Sequence, residues 1–101
     1  MDRKIELGSV VFSKMGRDKN AYYVVVDILD ENTVFICDGE IRKLSNPKKK
    51  SVKHLRPNGV VLESIAEKIK EHKKVFDSEV KSSLRSFNEP LQNNGGKNVK
   101  K

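Results

Sequence analysis

Few side chains in this 101-residue chain could carry covalent chemistry. Cys37 is the only cysteine, set in the apolar run TVFIC with neither histidine close to it in sequence. A thiol becomes a nucleophile when a base or a positive charge lowers its pKa, so this one reads as a buried core group. His54 and His72, even with that cysteine, fall short of the ligands a structural zinc site needs. They read as surface groups, and His54, inside a basic stretch, is placed to touch a phosphate or a base. Asp27, Asp30 and Asp38 stand at strand ends and turns, where a carboxylate bonds its own backbone. Turn chemistry accounts for them better than a general acid paired with a base. The Gly95-Gly96-Lys97 triplet lacks the leading glycine and the preceding strand of a phosphate-binding loop. These patterns point away from an enzyme, with no cofactor, metal or small-molecule substrate expected.

The chemistry that does stand out is ionic. Lys and Arg number 21 against 14 Asp and Glu, a net charge of +7. From position 42 to position 56 the chain reads RKLSNPKKKSVKHLR. Arg42, Lys43, Lys48, Lys49, Lys50, Lys53 and Arg56 occur there without one acid, and their charge equals the whole net excess. Solvated surfaces normally intersperse signs, so this segregation favours a phosphate-facing patch. A basic excess suits RNA, DNA or an acidic membrane surface, and contacts of this kind act through counterion release. PKKKSVK also has the composition of a nuclear import signal, although such runs arise often by chance. A second group lies in SKMGRDKN, where Lys14, Arg17 and Lys19 surround Gly16. Glycine there allows a positive φ and a close backbone approach to a phosphate. If that loop and the loop at 45–50 share a rim, they form one electropositive face. Tyr22 and Tyr23 leave the same loop on opposite faces of a strand. One is expected in the core, and the other exposed for stacking on a base or ribose.

The elements that must position these groups read as β in the first half. Strands are expected over Val10–Phe12, Tyr22–Leu29 and Thr33–Cys37, the middle one rich in β-branched and aromatic residues. Asp38-Gly39 is the strongest two-residue hairpin signal and predicts a fourth strand over Glu40–Leu44. SNPKKK reads as a loop, since Pro47 forbids a central strand position. SVKHL makes a short fifth strand, and RPNG ends the unit. Five short strands without room for crossover helices predict a small antiparallel barrel, whose closure hides its edges.

The second half changes period. Leu62, Ile65, Ala66 and Ile69 recur at helical spacing, and Val80, Leu84 and Phe87 repeat it in DSEVKSSLRSF, with Asp77 or Ser78 as N-cap and Pro90 closing the segment. Helices this short need packing against the barrel or a partner. The final LQNNGGKNVKK has no periodicity and reads as a disordered basic tail. The N-terminus lacks the apolar stretch of a signal peptide, and no run approaches the length of a membrane span, which predicts a cytoplasmic protein.

The stretch LGSVVFSKMGRDKNAYYVVVDILDENTVFICDG resembles a KOW motif: a glycine leading into a Val-Val strand, a polar loop with an internal glycine, and a second Val-rich strand. IRKLSNPKKKSVKHL is similar to the continuation in KOW-containing large-subunit ribosomal proteins of the archaeal and eukaryotic type and in their short bacterial relatives. The likeness spans roughly residues 6–56. It implies a mainly β fold with a five-stranded SH3-like barrel over 1–59, leaving a helical appendage at 60–89 and a tail at 90–101. It further implies binding of structured RNA, typically ribosomal. Gly16, Arg17, Asp18 and Lys19 would occupy the KOW loop, and Arg42, Lys43, Lys48, Lys49, Lys50, Lys53 and His54 the basic continuation. Asn20 stands near the position where many KOW sequences have a second glycine. The first rival reading is a protein-interaction module of the transcription or translation machinery, as in NusG-type KOW domains. A DNA-binding architectural protein is the second.

Overall fold

The computed structural model describes residues 5–14 and 21–88. Five antiparallel strands form one sheet, and two helices follow. The strands are β1 (Ser9–Ser13), β2 (Ala21–Asp30), β3 (Thr33–Cys37), β4 (Lys48–Ser51) and β5 (Leu55–Val61). A 3-10 turn over Val52–His54 separates the last two, and the helices are α1 (Glu63–Lys70) and α2 (Asp77–Asn88). Hydrogen bonding orders the sheet β4-β3-β2-β1-β5, so β4 and β5 are edges that do not pair with each other, and the expected closed barrel is corrected to a sheet that leaves both edges unpaired with one another.

The connection between those edges forces the sheet to roll up. Laid flat, five strands would hold β4 and β5 about 19 Å apart. Ser51 is level with Thr33 and Asp30, whereas Leu55 is level with Ser13 and Ala21. That offset would add about 30 Å along the strands. Yet Ser51 and Leu55 are only four residues apart, a reach of at most about 14 Å. The long strand β2 absorbs the difference: it pairs with β1 through Ala21–Val24 and with β3 from Val24 onward, with register shifts between Val25 and Asp27 and between Ile28 and Asp30. Bulges increase local twist and bend a strand, as this geometry requires.

Alternation along the strands builds two cores. Val11, Tyr23, Val25, Val34, Ile36 and Leu55 pack inside the roll. Val10, Val24 and Cys37 face the other way and pack against Ile65 of α1 and Val80 and Leu84 of α2. Val10, Val11, Val24 and Val25 are all fully buried, so the centre of the sheet is covered on both faces. That explains an unbroken valine run where a one-sided sheet would alternate with polar residues. The helices thus complete the outer of the two cores, and packing of this kind is what helices so short require. Among the described residues, no helix is long and apolar enough to cross a membrane.

Four local expectations are corrected. SVKHL is not the fifth strand, because Val52–His54 forms the 3-10 turn and β5 begins only at Leu55. Glu40–Leu44 forms no strand. The Asp38 carboxylate accepts the N–H groups of Glu40 and Arg42 at 2.9 and 2.8 Å. The Arg42 carbonyl accepts those of Asp38 and Gly39 at 2.9 and 3.1 Å. Backbone donors that a strand would have used are satisfied inside the loop. The segment at 45–50 is not wholly loop, because β4 starts at Lys48, just past Pro47. RPNG does not end the unit, since Arg56-Pro57-Asn58-Gly59 runs through β5. Pro57 is tolerated because β5 is an edge strand, where one face of the backbone has no ladder to break.

The ends of the helices are defined by backbone chemistry. At the end of α1, the His72 N–H donates to the Ile69 carbonyl at 3.1 Å and the Lys73 N–H to the Lys68 carbonyl at 2.7 Å. This is a Schellman motif, with His72 at φ 59° in the position usually held by glycine. His72→Gly should therefore stabilise the protein by about 1 kcal/mol, by removing left-handed strain from an exposed residue. A thermal melt should rise by roughly 4–8 °C, and an unchanged midpoint would contradict this account of the cap. At α2, the helix begins at Asp77 itself, and the Asp77 carboxylate accepts the Leu44 N–H at 2.7 Å instead of capping its own helix. The cap position falls to Phe76, whose N–H donates to the Glu79 carboxylate at 3.0 Å. Glu79 also pairs with Lys68 of α1, and that hydrogen bond, followed by the one from Phe76, holds its carboxyl below the usual carboxylate range.

Candidate nucleic-acid interface

The 3-10 turn is where the basic groups begin to converge. Its Val52 N–H donates to the Asn32 carbonyl at 2.8 Å, fastening it to the β2–β3 turn. Its His54 carbonyl accepts the Lys14 N–H at 2.9 Å, fastening it to the end of β1 where the loop toward β2 departs. Lys14 and Lys53 are exposed, and His54 is half-buried. Two of the basic segments, far apart in sequence, are thereby joined. Gly16, Arg17, Asp18, Lys19 and Asn20 lie outside the described residues.

On either side of the turn, strand alternation decides which cations reach solvent. In β4, Lys48 and Lys50 are level with Ile36 and Val34 and share their inward side. Lys50 is only 8% exposed and Lys48 is half-buried, whereas Lys49, level with Phe35, is exposed. The expected Lys48–Lys50 patch therefore reduces to Lys49 at the surface, with the flanking lysines laying their stems along the sheet. In β5, Leu55 turns inward and Arg56 outward. Arg56 is level with Phe12, and its guanidinium carbon lies 6.0 Å from that ring's centroid. An aromatic backing of this kind orients an exposed arginine without removing it from solvent.

Arg42 and Lys43 are placed differently. They sit in the β3–β4 loop, which is fixed to α2 by the Asp77–Leu44 bond and by the close seat of Gly39. Arg42 is half-buried, and its backbone closes the loop; Lys43 is exposed. An exposed ion pair between Glu40 and Lys81, 3.7 Å apart, spans the same contact. This pair of cations is thus anchored on α2, whereas Lys14 is anchored on the 3-10 turn.

The tyrosines do leave β2 on opposite faces, but neither is left open. Tyr23 is buried inside the roll. Tyr22 is half-buried between Phe12 and Phe87, at centroid distances of 5.0 and 5.4 Å. The Asn88 side chain accepts the Tyr22 N–H and donates to the Tyr22 carbonyl, so the last turn of α2 closes over the start of β2. Tyr22 is therefore corrected from a base-stacking candidate to a packing residue. Phe76, in the joint between the two helices, is by contrast 55% exposed, directly before α2. Its sequence signal is an aromatic standing where a helix start calls for a small polar cap, separated from Lys73-Lys74 only by Val75.

Cys37 behaves as a core thiol. It is fully buried, and its pKa is pushed up to about 12, first by loss of solvent and then by the nearby charges of Asp77 and Asp38. A thiol so placed stays protonated at neutral pH.

The surface thus assembled carries Lys49, Lys53, His54 and Arg56 on three consecutive elements, with Lys14 bound to the middle one. Exposed cations held on neighbouring elements are chemically able to contact an anion at several points. No family model matches the chain.

Proposed function

We propose that this chain is a non-catalytic RNA-binding protein of the KOW type. It acts in the cytoplasm on structured RNA, with ribosomal RNA the first candidate, through phosphate contacts. The observation that carries the reading is the acid-free run from Arg42 to Arg56, wound through β4, the 3-10 turn and β5, with Lys14 fastened to it. Five antiparallel strands in one sheet, with a 3-10 turn linking the two edge strands, favour an SH3-like fold. Recognition here is by charge and RNA shape, with little reading of base edges. The test is sedimentation of a cell lysate through sucrose gradients at low and high salt, with and without nuclease. Migration with large ribosomal subunits, lost at high salt or after nuclease, is the expected result. A protein that stays at the top of every gradient removes the ribosome from the proposal.

One observation favours the interaction-module alternative. Ile28 and Leu29 are 42% and 56% exposed at the end of β2, close to exposed Asp30 and Glu31. This acidic, apolar tip suits a protein surface better than a phosphate backbone. Partners that remain attached after nuclease treatment would support it.

A further inference from the structure

A second surface, away from the 3-10 turn, has the make-up of a base-stacking site. Val75 and Phe76 precede α2, and Val75 packs into the outer core while Phe76 is exposed. Phenylalanine is a poor choice at a helix N-cap, where Ser, Thr, Asp and Asn are strongly preferred. Its side chain adds no polar cap bond to α2, and departures from a local rule of this kind are expected at functional positions. Phe76 forms one wall of a groove of about 380 Å³, lined by Leu44, Ser45, Lys74, Val75 and Asp77 as well. The Lys74 ammonium lies 5.5 Å from the Phe76 ring centroid. Each wall is preceded in sequence by two basic residues, Arg42-Lys43 before Leu44 and Lys73-Lys74 before Val75. Lys43 and Lys74 are exposed there. The acid in the wall, Asp77, has a carboxylate oxygen committed to the Leu44 N–H.

We propose that Phe76 is the platform on which an unpaired base of the bound RNA stacks, with Lys43 and Lys74 meeting the phosphates on either side of that base. The proposal rests on the RNA-binding reading and adds a single-stranded site to it. Every base has a π-face, so the site tolerates any sequence. Lys74 in the groove and exposed Lys43, next to Leu44 in sequence, favour a nucleotide over an uncharged aromatic ligand. It also gives Arg42-Lys43, anchored on α2 and not at the 3-10 turn, a place in RNA binding.

The chain has no tryptophan, so Phe76→Trp introduces a single indole as a reporter. The probes are a single-stranded oligoadenylate and a fully paired RNA duplex of the same length, each titrated at one salt concentration. The expected result is that the oligoadenylate quenches indole emission in parallel with binding followed by anisotropy, while the duplex binds without quenching. Phe76→Ala should lower oligoadenylate affinity about 5- to 100-fold and leave duplex affinity unchanged, and Phe76→Tyr should retain both. Because Phe76 is more than half exposed, these variants keep the fold, which far-UV circular dichroism verifies. Oligoadenylate binding with silent emission and full affinity in Phe76→Ala overturns the stacking site while the RNA-binding reading stands. Failure of the unaltered chain to bind either RNA overturns both.

Discussion

Replacing Lys14, Lys49, Lys53 and Arg56 together by glutamine should lower affinity for structured RNA about 100-fold at physiological salt and leave the fold intact. Each of these side chains is exposed, on the end of β1, on β4, on the 3-10 turn or on β5. Exposed ionic contacts contribute roughly 0.2–1 kcal/mol each, so four at the upper part of that range give about 2–3 kcal/mol. The more diagnostic number is the salt slope. Abolishing one phosphate contact takes about 0.7–0.9 off the dependence of log K on log salt, so the slope should flatten by about 3. Weaker binding with an unchanged slope would mean that the residues act through shape and not charge. Lys48 and Lys50 do not belong in the set because their stems lie along the inward side of β4. Neutralising Lys50 would disturb folding and obscure the result.

Gly39→Ala should be strongly destabilising, although it adds only one methyl group. Gly39 has φ +81°, and a Cβ added there would lie 2.3 Å from the Asp77 carbonyl oxygen and 2.8 Å from the Lys81 nitrogen. Both neighbours are helix backbone, which cannot move aside without disturbing α2. Left-handed strain and overpacking together give about 2–4 kcal/mol. In a domain of this size that lowers the melting midpoint by roughly 10–30 °C. Gly59 supplies the control, since its φ is +87° but a Cβ added there would meet nothing within 4 Å. Gly59→Ala should therefore show the backbone strain alone, about 1–2 kcal/mol. Equal losses at the two positions would refute the close seat of the β3–β4 loop on α2. RNA affinity of folded Gly39→Ala, measured below its melting range, should be retained at the 3-10 turn.

Elements whose signals are local could be read directly from the order of residues. The Val-rich strands β1, β2 and β3 follow from β-branched runs bounded by polar turns. Both helices follow from apolar residues at a period near 3.6, and the buried Cys37 from its apolar neighbours. The charge segregation that motivates an RNA partner is likewise readable without coordinates, because it is a property of composition along the chain.

What depends on which surface a residue faces, and on what covers it, emerged only from the folded chain. Asp38-Gly39 carries a genuine turn signal, yet its glycine is needed for contact with α2 and its aspartate folds a long loop, so the predicted fourth strand does not form. Tyr22 alternates outward as a strand residue must, but Phe87 and Asn88 arrive from the far end of α2 to cover it. Lys48, Lys49 and Lys50 are identical in sequence character, and only their place in β4 separates one solvent-facing cation from two with inward stems. Lys14 and His54 meet because the β1–β5 ladder, with Ser13 level with Leu55, runs on by one residue, and the three-residue link from Ser51 to Leu55 ties that end to the β2–β3 turn through Val52 and Asn32. Local propensity cannot encode such outcomes: each is fixed by a partner distant in sequence, through packing, a backbone hydrogen bond or the finite reach of the chain.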